Sequence, residues 1–128
     1  MSRRVLICDD SLLMRRMIRE TLVAAGWEVV GEAHNGEEAA LQYELLKPDV
    51  VTMDIVMPDH DGLHGLHRIM QCDPTAKVVM VSSLHHTKPI ADAIREGARD
   101  FIVKPFMPEQ FQATVEGCAG SFEVAGSA

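Results

Sequence analysis

The sequence predicts an α/β fold, a doubly wound sheet of five parallel strands with helices on both faces. Two observations carry that prediction. Short apolar runs alternate five times with stretches whose apolar residues recur at steps of three and four, the pattern of consecutive βα units. Four of the runs also stop at polar residues: Asp9 and Asp10 after VLIC, Asp54 after VVTM, Ser82 after VVMV and Lys104 after DFIV. In a parallel sheet such ends share one rim, which is where open α/β sheets hold their ligands.

Each element has a local reason. Val5 to Cys8 is a continuous apolar run, as expected of a strand covered on both faces. Met14, Met17, Ile18, Leu22 and Ala25 give the first helix an apolar face, and Gly26 can stop it. Trp27 to Ala33 reads as the second strand and Asn35-Gly36 as a turn, before a helix marked by Ala39, Ala40, Tyr43 and Leu46. Pro48 ends that helix by restricting Lys47. Val50 to Asp54 is the third strand, followed by the loop from Met57 to Gly62 and a helix carrying Leu63, Leu66, Ile69 and Met70. Asp73-Pro74 closes it. Lys77 to Ser82 is the fourth strand, Ile90, Ala93, Ile94 and Ala98 outline the fourth helix, and Asp100 to Val103 is the fifth strand. Pro108 suits the first turn of a last helix with Phe111, Val115, Cys118 and Phe122 on one side. Gly117 and Gly120 weaken that helix, so its end is expected to fray.

The 128 residues fit one domain, assigned to 1–122, with a flexible tail at 123–128. A net charge of −7 and a pI near 5.2, with no basic run, argue against nonspecific nucleic-acid or anionic-membrane binding. Cys8, Cys72 and Cys118 are odd in number and widely spaced, so they read as buried free thiols in a reducing compartment. The N-terminal MSRRVLICDD is too short in apolar residues for a signal segment or membrane span. The expectation is a cytoplasmic protein.

The rim residues define a chemistry. Right-handed crossovers leave several strand orders open. The order 2-1-3-4-5 would set the first and third strands about 4.8 Å apart and bring Asp9, Asp10 and Asp54 within one cation's reach. Three carboxylates so close repel one another, and Mg²⁺ with its oxygen ligands relieves this best. Lys104 and Ser82 would offer a point charge and a hydroxyl to the same phosphoryl group. Asp54 stands alone at the end of the central strand, which suits a carboxylate nucleophile toward phosphorus. Asp10 or Ser11 could equally serve as a cap for the first helix.

With VLICDDS, NGEEA, KPDVVTMDIVMPDHDGL, VVMVSS and GARDFIVKPF together, residues 3 to 116 resemble the receiver domains of two-component response regulators, and within them the single-domain chemotaxis regulators. The resemblance implies a flavodoxin-like (βα)5 fold of order 2-1-3-4-5. Asp9 and Asp10 look like its acidic metal ligands with the Val56 carbonyl as a backbone ligand, and Asp54 like its phosphoacceptor. Ser82 resembles the switch hydroxyl, Lys104 the phosphate-contacting lysine and Phe101 the switch aromatic, while Lys104-Pro105 would be cis. Also implied are Mg²⁺, a CheA-like sensor histidine kinase as phosphodonor, and a monomer that signals through the face of the fourth helix, fifth strand and fifth helix. A flagellar motor switch protein is the natural downstream partner, with Lys88, Ile90, Ala91, Arg95 and Phe101 in its recognition.

Ser82 stands where Thr is frequent and Phe101 where Tyr is frequent, so Phe101 is expected to turn partly inward even without phosphate. In the receivers this chain resembles, the positions of Val56 and Leu84 flank the route of the hydrolytic water; neither side chain can orient it, which predicts a phosphoryl lifetime longer than that of a double variant carrying Val56→Asn and Leu84→Glu. His60, His64 and His67 fall at helical steps, conceivable as a Zn²⁺ site but read as facing water; His85 and His86 could lie over the pocket. The eight Met are read as core filler, and Trp27 lies away from the rim. A Mg²⁺-dependent aspartyl-phosphate phosphatase is the alternative of another class, but it needs an acid two residues after the nucleophile, where Val56 stands. A flavin-binding module would need a Ser/Thr/Gly-rich phosphate loop after the first strand. Within the family, the receiver of a chemotaxis methylesterase or another stand-alone phosphorelay receiver remains a rival.

Overall fold

The computed structural model describes the backbone of residues 3–83 and 87–127, and side chains over 3–83 and 88–120. Strands and helices alternate: β1 (Arg4–Cys8), α1 (Leu12–Ala24), β2 (Glu28–Ala33), α2 (Gly36–Leu46), β3 (Val50–Asp54), α3 (Gly62–Cys72), β4 (Val78–Ser83), α4 (Thr87–Glu96), β5 (Asp100–Lys104) and α5 (Pro108–Ser127). All strand pairs are parallel and the order is β2-β1-β3-β4-β5. The fold is thus flavodoxin-like, and the strand order that the residues alone left open is the one the resemblance implied.

Alternation along the strands divides the core into two layers. Leu6, Cys8, Val51, Met53, Val78 and Met80 face Ala39, Ala40 and Tyr43 of α2, Leu66 and Ile69 of α3 and Ala93 of α4. Val5, Ile7, Val50, Val79, Val81 and Ile102 face Ile18 and Leu22 of α1 and Phe111, Val115 and Cys118 of α5. Burying a side chain of this size stabilises the fold by roughly 1.5–3 kcal/mol, so continuous apolar strands are what a sheet covered twice requires.

Side-chain caps fix where the helices begin. The Ser11 hydroxyl accepts from the Met14 amide at 3.2 Å, Asn35 from the Glu38 amide at 2.8 Å and Asp61 from the His64 amide at 2.9 Å. Glu38 in turn accepts from the His34 amide at 2.9 Å, one residue before the cap. The Asn35-Gly36 pair is therefore a helix start rather than a free-standing turn. Gly26 at φ 92° stops α1 as expected, and Lys47 ahead of Pro48 leaves the helix at φ 47°.

Several expectations are corrected. Met17 and Ile94 are exposed rather than on the core faces of α1 and α4, because the sheet is flanked by only part of each helix circumference. Ala98 follows α4, which Gly97 ends at φ 114°. Cys8 and Cys118 are buried, but Cys72 is exposed: it is the last residue of α3 and opens on a cleft with Tyr43, Lys47 and Asp73. The methionines divide too, Met53, Met57 and Met80 lying in the core and Met107 outside it. The backbone of α5 is helical through Ser127, and the Phe122 side chain lies outside the described residues.

Candidate functional site

The sheet brings the rim residues together by register. Cys8 of β1 pairs with Met53 of β3, so Asp9 and Asp54 are neighbours one step later. Ser82 of β4 lies opposite Val103 and Ser83 opposite Lys104. Asp9, Asp54 and Ser82 are buried, Lys104 is half-buried and Asp10 is exposed. Carboxylate oxygens of Asp9, Asp10 and Asp54 all lie within 4.8 Å of one another. The Lys104 ammonium lies 3.2 Å from Asp9 Oδ2 and 3.4 Å from Asp54 Oδ2. Ser82 Oγ donates to the Ser83 carbonyl at 3.1 Å.

One cation does not balance three acids. Burial above all, and then the negative charge of Asp9, push the Asp54 carboxyl up to about 6, against the pull of Lys104. The carboxylate thus remains largely ionised at neutral pH but unstable for want of further positive charge.

The loop after β3 is folded tightly under the site. The Gly62 amide donates to the Ile55 carbonyl at 2.8 Å, and a Cβ at Gly62 would fall 2.0 Å from the Asp54 carbonyl oxygen. Only glycine permits that approach. The Val56 side chain stands out into solvent, 56% exposed, and among the described residues no amide donates to its carbonyl. The donor set is therefore oxygen only, anionic and close-spaced, which fits Mg²⁺. Asp9, Asp10 and Asp54 are the groups whose geometry would hold it.

The Lys104-Pro105 bond is cis, as implied. Phe101 is 40% exposed on β5. The helix-three histidines turn to acids: His64 Nε2 lies 2.8 Å from Glu37 Oε1, which Arg68 also binds, and His67 Nδ1 lies 3.3 Å from Glu96. His60 stacks on His64. Leu84, His85 and His86 lie outside the described residues. Trp27 sits at the far end of the sheet, its indole donating to Glu116 at 3.1 Å. Sequence reasoning missed two features. Arg15 of α1 donates to the Asp9 carbonyl at 2.6 Å; its place one turn beyond the Ser11 cap was the available signal. Thr52, mid-strand in β3, has a buried hydroxyl with no hydrogen-bond partner among the described residues.

Known proteins share this sequence and fold. The sequence profile of the response regulator receiver domain matches residues 5–116. The chemotaxis protein CheY of Thermotoga maritima is 48% identical over 110 residues, 86% of this chain and 92% of that protein. A protein-glutamate methylesterase/protein-glutamine glutaminase of Archaeoglobus fulgidus is 48% identical over 104 residues, 80% of this chain but 30% of that protein. The structure of a CheX-CheY-BeF3-Mg²⁺ complex from Borrelia burgdorferi superposes with a TM-score of 0.82 at 34% identity, covering 94% of this chain and 88% of that one.

The chain belongs to the response regulator receiver domain family. Its acidic cluster is the Mg²⁺-dependent aspartate phosphorylation site of a CheY-type receiver, and the chain is a phosphoacceptor in two-component signalling rather than a turnover enzyme. Its phosphodonor is a histidine kinase.

Proposed function

We propose that this receiver is a chemotaxis regulator in which Asp54 is the phosphorylated residue. The carrying observation is the constellation itself: the buried Asp54 carboxylate 3.4 Å from Lys104, with Asp9 and Asp10 oxygens within 4.8 Å. An Asp54 oxygen attacks the phosphorus of the kinase phosphohistidine in line. The new O–P bond forms as the N–P bond breaks, and the leaving imidazole nitrogen takes up a proton. Asp9, Asp10, Asp54 and the Val56 carbonyl would hold Mg²⁺, which would supply positive charge for the phosphoryl oxygens.

Lys104 then shifts its charge from the two carboxylates toward the phosphoryl group, and Ser82 offers its hydroxyl. Withdrawal of Ser82 makes room for the exposed Phe101 ring to turn inward, reshaping the surface of α4, β5 and α5. That surface, with Lys88, Ile90, Ala91, Arg95 and Phe101, binds the output partner, a flagellar motor switch protein. The receiver unit is 1–122 with a tail at 123–128, monomeric and cytoplasmic. Among the described residues no helix is long and apolar enough to cross a membrane.

Phosphotransfer profiling against the histidine kinases of the source organism tests it. Fastest transfer from the chemotaxis kinase is expected. Preferential transfer from a kinase of another pathway would reject the chemotaxis assignment.

A further inference from the structure

We propose that Arg15 is a positioning residue for the metal-binding turn, fixed in that task by Glu32; this rests on the reading of Asp9 and Asp10 as metal ligands. Arg15 spans two acceptors on different elements. One guanidinium nitrogen donates to the Asp9 carbonyl at 2.6 Å, and Nε donates to Glu32 Oε1 at 2.9 Å. The planar fork suits two acceptors held at a fixed angle, which a flexible ammonium does not match.

Glu32 is itself anchored. It lies opposite Ile7 on β1, two residues before Asp9. Its other carboxylate oxygen takes Arg19, with Nε at 2.9 Å, and its carbonyl accepts from Gln42 at 2.7 Å. Burial pushes the Glu32 carboxyl upward, but the hydrogen bonds and charges of Arg19 and Arg15 outweigh it and hold the group below its ordinary range. Glu32 is therefore a constant anion that keeps the Arg15 fork in place.

The consequence falls on Asp10. Asp9 is held at every polar group: its amide donates to the Ala33 carbonyl at 3.0 Å, Oδ1 accepts from the Ser11 amide at 2.9 Å, Oδ2 takes Lys104 at 3.2 Å, and its carbonyl takes Arg15. The exposed Asp10 carboxylate has no hydrogen-bond donor among the described residues, so its direction depends on the plane of the Asp9–Asp10 peptide. Arg15 holds the oxygen of that peptide. Partners that orient metal ligands in this way are typically worth about 10–100-fold in metal affinity.

A purely structural tie between α1 and β2 would lower stability on removal and leave metal affinity alone, so Mg²⁺ affinity is the discriminating readout. Amide chemical-shift titrations with Mg²⁺ on the full chain compare wild type, Arg15→Ala and Arg16→Ala, which removes the same charge from an exposed neighbour. Arg15→Ala is expected to weaken Mg²⁺ binding by about tenfold or more, with phosphorylation from acetyl phosphate recovering at saturating Mg²⁺, and Arg16→Ala to stay within about twofold. An Arg15→Ala dissociation constant within twofold of wild type, or an equal loss in Arg16→Ala, would overturn the proposal. Should Arg15→Ala not fold, Glu32→Gln carries the same comparison: weakened Mg²⁺ binding supports the role and unchanged binding rejects it. The wild-type arm stands apart, since its failure to bind Mg²⁺ would refute the metal-ligand reading itself.

Discussion

Replacing Asp54 with asparagine should remove the phosphoacceptor and, in the metal-free protein at neutral pH, raise stability. The folded protein pushes the Asp54 carboxyl from its ordinary 3.8 up to about 6, chiefly by burial and by the charge of Asp9. At about 1.4 kcal/mol for each pH unit, ionised Asp54 costs the native state on the order of 3 kcal/mol. Asparagine removes that cost but also forfeits the attraction to Lys104, which keeps Asp9 as its partner at 3.2 Å. A net gain of about 1–3 kcal/mol follows, or roughly 1 M in urea midpoint for a protein of this size. The pH dependence fixes the sign. Between about 6 and 3.8 folded Asp54 binds more protons than unfolded Asp54, so wild-type stability rises relative to the variant as pH falls through that window. Urea unfolding with a chelator at pH 7 and near pH 4 measures both effects. An Asp54→Asn protein no more stable than wild type at pH 7, or a gain that persists undiminished near pH 4, would refute the reasoning.

Other parts of the fold make further expectations. Thr52→Val should raise stability by about 1 kcal/mol in thermal or urea unfolding, because the buried hydroxyl has no partner among the described residues and valine keeps its shape; a loss would show that the hydroxyl is satisfied in solution. Gly62→Ala should cost about 1–3 kcal/mol and slow phosphorylation, since its Cβ would meet the Asp54 carbonyl at 2.0 Å; unchanged phosphorylation would separate the loop from the site. Val56→Asn, with or without Leu84→Glu, should shorten the phosphoryl lifetime at fixed Mg²⁺ by giving the exposed rim position a group that can orient water. Equal or slower loss from the variants would reject that role. The Phe101 ring should show inward population by NMR rotamer analysis even without phosphate, and a single outward state would reject it.

Most of this molecule was legible because its signals are local. Buried strands read as apolar runs, and Asp9, Asp54, Ser82 and Lys104 mark where each run reaches the rim. The strand order was not legible from the residues, since crossover handedness permits several. Asn35-Gly36 reads as a turn because helix caps and turns share the same residue types, and only the Glu38 amide donating to the Asn35 side chain separates them. Met17 and Cys72 fit apolar spacing but lie where a helix edge or end overhangs the sheet. Arg15 escaped notice because its acceptor at the site is a backbone carbonyl, which leaves no trace in side-chain pattern. The lone hydroxyl of Thr52 escaped for a related reason, as threonine is ordinary in a strand.

The central claim is most directly tested by mapping a phosphoryl group after incubation with acetyl phosphate and Mg²⁺. The account predicts one hydroxylamine-sensitive adduct, on Asp54, absent from Asp54→Asn and from samples treated with chelator. No adduct, or one that survives in Asp54→Asn, would contradict it.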